Sequence, residues 1–241
     1  MRILAIDTSN RPLSVAVLED GNLLSQATCT KSKNHSVNLL PLIDRLMKDA
    51  GLEPADLDRI VVAKGPGSYT GLRIGVATAK TLAYTLGREL AGVSSLEVLA
   101  AAFPQTERRV LVPLFDARRG NVFAGAYRYD DAGRLTVVIP DCHVAVTDLC
   151  DRLASEDVIF IGTDTAVYAD VLREKCRGCI LADAGFNYPR ADVLGMLGAS
   201  AEPADVNEFV PDYLRITQAE AQWLEKHPEG KDEHGSYVEK V

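Results

Sequence analysis

I-V-V-A-K-G-P-G-S-Y-T-G-L-R-I-G-V-A-T-A-K-T-L-A-Y-T-L-G-R-E-L-A-G-V-S-S-L-E-V-L, residues 60–99, reads as strand, glycine-rich turn, helix, short strand and the start of a second helix. Val61 and Val62 are β-branched and apolar, as a buried strand requires. Gly65-Pro66-Gly67 forces a tight turn, because glycine reaches positive φ cheaply while proline fixes its own φ and has no N–H. Residues 72–86 contain no helix breaker except Gly75, and Gly87 supplies the stop. Ser94, with Glu97 three residues on, is a capping-box pattern that opens the next helix.

The helix in the middle offers little polar surface. Between Leu72 and Leu86 only Arg73 and Lys80 are charged, and a helix apolar nearly all round is covered on more than one side. Gly71, Gly75, Ala79 and Ala83 recur every four residues and line up along one face. Mid-helix glycine costs roughly 0.5–1 kcal/mol against alanine, so Gly75 calls for the close approach of another backbone. Two readings stand: tight packing on the chain's own sheet, or one side packed at home and another side meeting a second chain.

At 241 residues the chain is one large domain or two modest ones. Hydrophobic residues make up 47% and charged residues 25%, as in a globular protein. A formal net charge of −8 argues against a stand-alone nucleic-acid binder, which needs clustered Lys and Arg. No apolar run is long enough for a membrane span, and Asp7 interrupts the short apolar N-terminus, so no signal peptide is read and the cytosol is the expected compartment. The five cysteines (Cys29, Cys142, Cys150, Cys176, Cys179) are an odd number and suit reduced thiols. Cys176-Arg177-Gly178-Cys179, with Cys142, His143 and Cys150 upstream, allows a zinc or redox site, but a closed zinc site usually shows two such pairs.

Residues 2–7 form a strand ending in Asp7, followed by a polar turn, a strand at 14–18, an acidic glycine turn and a strand at 23–30. A helix at 37–50 follows, with Pro41 near its start. At Arg109 the chain starts again: a strand ending in Asp116, a polar turn, a strand at 121–128, an acidic glycine turn and a strand at 135–139. A strand at 158–162, helices at 166–174 and 191–201, and a short strand at 180–181 complete the second half. A final helix from Thr217 to about Lys226 leads into a polar tail. The repeat predicts two mixed α/β lobes over residues 1–103 and 104–216, with a ligand cleft between them and a helix and tail at 217–241.

The usual phosphate motifs fail on the glycine turn. G-x-G-x-x-G meets Thr70 at its last glycine, and Lys80-Thr81 lies inside a helix without the glycines of a P-loop. A structural turn is the favoured reading. Asp7-Thr8-Ser9, hydroxyls beside a carboxylate at a strand end, is a candidate for nucleotide phosphate or hydrated Mg²⁺. No H-E-x-x-H or G-x-S-x-G is present, which leaves metalloprotease and serine-hydrolase chemistry without residues to carry it.

Gly65-Pro66-Gly67-Ser68-Tyr69-Thr70-Gly71-Leu72-Arg73-Ile74-Gly75, with residues 3–9, Gly92-Val93-Ser94-Ser95-Leu96-Glu97, Asp116-Ala117-Arg118 and Pro211-Asp212-Tyr213-Leu214-Arg215, closely resembles the bacterial TsaB (YeaZ) family. The resemblance covers nearly the whole chain up to the tail. It implies tandem ribonuclease-H-like lobes of the actin-like ATPase superfamily. The implied function is a non-catalytic scaffold required for threonylcarbamoyl modification of the adenosine beside the anticodon in tRNAs reading codons that start with A. The scaffold would bind the catalytic subunit TsaD together with TsaE, contact tRNA only through that complex, and form a homodimer when alone. TsaD carries two metal-binding histidines in G-V-x-H-x-x-G-H, where this chain has Ser95 and Leu99. Neither serine nor leucine replaces an imidazole ligand, so the resemblance implies an inactive relative without metal or cofactor.

The family's pairing surface uses the first two helices. On that ground Asn38, Leu42, Arg45, Leu72, Arg73, Gly75, Val76, Ala79, Lys80 and Ala83 are the candidate partner contacts. The alternatives are a stand-alone nucleotide-binding or metal-dependent hydrolase working through Asp7 and Asp116, and a redox protein using Cys176 and Cys179.

Overall fold

The computed structural model describes residues 1–30 and 34–214. The chain opens as an antiparallel meander of β1 (Arg2–Asp7), β2 (Leu13–Glu19) and β3 (Asn22–Cys29). Asp20 and Gly21 turn β2 into β3 at φ 50° and 79°, the paired positive φ that suits a two-residue hairpin to the twist of its strands. After α1 (His35–Asp49), β4 (Arg59–Gly65) lies parallel to β1. After α2 (Tyr69–Leu86), β5 (Glu89–Ser94) lies parallel to β4. The sheet order is β3-β2-β1-β4-β5. α3 (Ser95–Ala101) follows at once, its N-terminus capped by Ser94, whose Oγ accepts from the N–H groups of Leu96 and Glu97.

The restart at Arg109 is real. β6 (Val110–Arg118), β7 (Asn121–Tyr129) and β8 (Leu135–Ala145) form a second meander. β9 (Val158–Ile161) lies parallel to β6, and β10 (Ile180–Leu181) parallel to β9. The order β10-β9-β6-β7-β8 is the first sheet's order read from the other edge, so one α/β design is used twice. α4 (Val146–Arg152) and α5 (Ala169–Lys175) cover one face of this second sheet. α4 has no counterpart in the pattern reading. It leaves β8 directly with Ala145 at its cap and no side-chain cap bond, so the usual start signal is missing.

Helix ends are set by local chemistry. α2 begins at Tyr69, earlier than residue 72, because Ser68 caps it by accepting from the Gly71 N–H. It stops at Gly87, which sits in the left-handed region at φ 63° while the following N–H returns to Ala83 O. α1 begins at His35 and carries Pro41 within it.

The pleat of the first sheet sorts its apolar residues onto two faces. Leu4, Ile6, Ile60 and Val62 pack under α1 and α2. Ile3, Ala5, Val61 and Ala63 face Ala191, Val193 and Leu194 of α6 (Ala191–Ser200). This corrects the lobe boundary. Residues 104–216 are not one lobe, because α6 returns to the first sheet and the chain stays there afterwards. Arg59 Nη1 donates to the Gly198, Ala199 and Ala201 carbonyls, and Lys80 Nζ to those of Asn207 and Phe209.

The exchange is reciprocal, since Leu96, Leu99 and Phe103 of the α3 region pack against Leu111, Phe115 and Phe123 of the second sheet. Each sheet therefore needs a helix supplied by the other half. The physical reason is that both faces of each sheet are apolar and each half's own helices cover only one of them. The helix expected from Thr217 and the tail at 217–241 lie outside the described residues.

Candidate functional site

Asp7, Thr8 and Ser9 sit where β1 ends, and all three are buried. Asp7 Oδ1 accepts from the N–H and the hydroxyl of Ser9 at 2.9 and 2.7 Å, while Oδ2 has no hydrogen-bond partner among the described residues. Burial pushes the Asp7 carboxyl above its ordinary range, against the pull of the Ser9 bonds and the His35 charge. The Thr8 hydroxyl donates to Gly71 O at 2.7 Å, and the Ser68 N–H donates to Ser9 O at 2.7 Å.

The start of α2 is thus seated directly on the β1–β2 turn. A Cβ on Gly71 would collide with Thr8 O, and one on Gly75 with Thr8 Oγ1. The small-residue stripe serves this seat, which is the packing-at-home reading. It also corrects two expectations. Asp7, Thr8 and Ser9 are buried at the strand end and are not among the residues that line the space between the lobes. Leu72, Gly75, Val76, Ala79 and Ala83 are buried against the chain's own sheet, as is Leu42 of α1, so none of them forms an outer surface.

The remaining partner-contact candidates lie further out. Asn38, Arg45 and Arg73 are exposed. Lys80 is half-buried, and its ammonium is committed to the chain's own carbonyls. Arg73 lies over the Tyr69 ring, with its carbon 5.4 Å from the centroid, and Tyr69 stacks on Tyr213 at 4.7 Å.

The outward sides of α1 and α2, which pack side by side, hold what the sequence reading missed. Val37 is 65% exposed, Leu40 56%, Tyr69 45% and Tyr84 73%, and Pro41 and Ala77 of the same two helices are exposed too. The signal was partial: Val37 stands off the apolar stripe of Leu39, Ile43, Leu46 and Met47, whereas Leu40 shares their helical spacing, so it reads as one of that set and is exposed all the same.

Between the lobes lies a cavity of about 880 Å³ whose walls include Arg11, His35, Phe115, Asp116, Arg118 and Phe123. Asp116 Oδ1 accepts from Tyr168 OH at 2.7 Å and from the Arg118 N–H at 2.8 Å. Burial pushes its carboxyl up, but the Tyr168 and Arg118 bonds and the charges of Arg118 and Arg11 outweigh it and hold it below the ordinary range. Asp164 accepts from the Asp116 N–H at 2.9 Å.

Asp141 of β8 accepts from the hydroxyls of Ser94 and Tyr127, tying the second lobe's edge strand to the α3 cap. Leu99, where TsaD would carry a histidine, lies in the apolar layer between α3 and the second sheet. Among the described residues no group of three or more His, Cys, Asp and Glu side chains is placed to hold a metal. All five cysteines are free thiols, and burial pushes Cys150 up to about 12, so it stays protonated and a poor nucleophile. No helix among the described residues is long and apolar enough to cross a membrane.

Comparison with known proteins agrees with this architecture. The family model described as TsaD, tRNA N6-adenosine threonylcarbamoyltransferase, matches residues 24–223. The tRNA threonylcarbamoyladenosine biosynthesis protein TsaB of Bacillus subtilis is 44% identical over 229 residues, covering 93% of this chain and 99% of the relative. The Escherichia coli protein of the same name is 29% identical, over 89% of this chain and 95% of its own. The structure of YeaZ from Pseudomonas aeruginosa superposes with a TM-score of 0.76 at 27% identity, over 88% of this chain and 99% of that one. With two like lobes in the actin-like arrangement and a relative this similar along nearly its full length, the chain belongs to the TsaB family, named for tRNA threonylcarbamoyladenosine biosynthesis.

Proposed function

We propose that this chain is a non-catalytic partner subunit in threonylcarbamoyl modification of tRNA. It docks the catalytic subunit TsaD through the outward face of α1 and α2, within a complex that also contains TsaE. The modified base is the adenosine beside the anticodon in tRNAs that read codons starting with A, and the chain meets tRNA only through the complex. The cytosol is the compartment in which it acts.

One observation carries the reading: the apolar surface of Val37, Leu40 and Tyr84 on two neighbouring helices. Large apolar side chains left exposed on two adjoining helices are the raw material of a protein contact. Arg73 and Tyr69 at the edge of that face are of the residue types that anchor interfaces. The non-catalytic part of the reading draws on Ser95 and Leu99, which offer a metal no imidazole. Without TsaD the same face would pair two copies of this chain.

The test is co-elution of the chain with TsaD in size-exclusion chromatography. Leu40→Asp and Tyr84→Asp each place a charge on the face without touching the core. Each is expected to abolish co-elution while thermal melting stays within a few degrees of the parent. Co-elution of both variants with TsaD at parental yield overturns the reading.

A further inference from the structure

The cavity between the lobes is built from corresponding places in the two repeats. Arg11 follows β1 and its strand-end Asp7; Arg118 ends β6 just past Asp116; both line the cavity. The acids nearby are each hydrogen-bonded inside the protein through at least one oxygen. Asp116 is held by Tyr168 and the Arg118 N–H, Asp164 by the Asp116 N–H, and Asp7 is sealed beneath Ser9. The cations are held more loosely. Arg11 forms no ion pair among the described residues, and Arg118 reaches Asp116 Oδ2 only at 3.8 Å with its side chain 78% exposed.

The actin-like fold implies a metal-bound nucleotide at this place, and these residues do not fit one. Such a ligand needs, beside a carboxylate such as Asp116 for the metal's water, a first-lobe turn open to phosphate. Here the turn's Thr8 and Ser9 carbonyls are pressed against the start of α2, and the Ser68 N–H is spent on Ser9 O. What the cavity offers is an arginine from each lobe, Arg11 and Arg118, and two aromatic residues, Phe115 and Phe123, in the same lining as Asp116 and Asp164.

We propose that this cavity binds a small organic anion without a metal ion, its phosphate or carboxylate held between Arg11 and Arg118 and its apolar part lying on Phe115 and Phe123. Guanidinium groups suit both head groups because their planar fork matches two oxygens at once. The two aromatic residues favour a ligand with a ring or alkyl portion over a bare inorganic ion. No covalent step is involved, and the cavity meets the start of α1 at His35 and Ser36 and the start of α2 at Thr70 and Gly71, while the exposed Leu40 and Tyr84 do not line it.

The test is calorimetric titration of the full chain in EDTA with phenyl phosphate, benzoate and inorganic phosphate. At least one aromatic anion is expected to bind roughly tenfold or more tighter than inorganic phosphate, and the tighter of the two identifies the head group. Arg11→Gln and Arg118→Gln are each expected to weaken it roughly tenfold, with melting temperature unchanged and added Mg²⁺ without effect. Three results would overturn the proposal: no saturable binding of either aromatic anion up to about 10 mM, binding untouched by both substitutions, or binding that appears only with Mg²⁺.

Discussion

Thr8 Oγ1 occupies the space that a Cβ on Gly75 would need, and the same oxygen donates a hydrogen bond to Gly71 O one helical turn earlier. A glycine and a threonine far apart in sequence are thereby locked into one contact. That contact sets how closely α2 can approach the strand end at Asp7. It also explains why a helix tolerates glycine at its centre.

Gly75→Ala therefore tests the seat. Alanine alone would favour the helix by about 0.5–1 kcal/mol, but the added methyl must displace a buried threonine that lies at the end of a strand. Overpacking of that kind costs about 1–3 kcal/mol. The expected net effect is a loss of stability, measured by urea unfolding, and it should shrink when Thr8→Ala is added. A double-mutant cycle with no coupling between positions 8 and 75 would contradict the close contact.

Arg59 supplies a second prediction, because its guanidinium closes the end of α6. Nη1 donates to the Gly198, Ala199 and Ala201 carbonyls, while Nε and Nη2 donate to Glu89 at 2.8 and 2.6 Å. Arg59→Met keeps much of the stem's packing but leaves those carbonyls without a donor. A loss of about 2–4 kcal/mol is expected, since unsatisfied buried groups cost more than a made hydrogen bond contributes. Hydrogen exchange should localise the loosening to 191–201. Protection there equal to the parent's would show that α6 is held by packing alone.

The order of strands was legible because it is written twice. Asp20-Gly21 marks a hairpin by residue type, and the second meander repeats the first with Asp116 in the place of Asp7. Gly75 announced a close approach, though not to what. Its neighbour proved to be Thr8, which pattern alone cannot indicate because nothing in local periodicity pairs residues so distant. The placement of α6 was illegible for the same reason. Its residues are apolar or small nearly all round, so they fit either sheet, and only Arg59, a cation inside a strand of the first sheet, hinted at which. The outward face of α1 was readable only at Val37, which breaks the helix's own stripe, because Leu40 keeps the spacing of Ile43 and Met47 and so reads as core.

Asp7 provides the last prediction, a dependence of stability on pH. Burial raises its pKa in the folded chain above the ordinary aspartate value of 3.8. Between that value and the raised one the folded state binds more protons than the unfolded state, so stability falls as pH rises through the window. Glu97 and Asp141, also raised chiefly by burial, act in the same direction. The informative quantity is therefore the difference between parent and Asp7→Asn. The variant keeps a side-chain oxygen to accept from Ser9 and cannot ionise, so its unfolding free energy should fall less steeply from pH 4 upward than the parent's. Urea titrations at several pH values measure the two slopes. Parallel slopes would mean that Asp7 titrates in the folded chain as it does in the unfolded one, against a carboxyl that is wholly buried and bonded through only one of its oxygens.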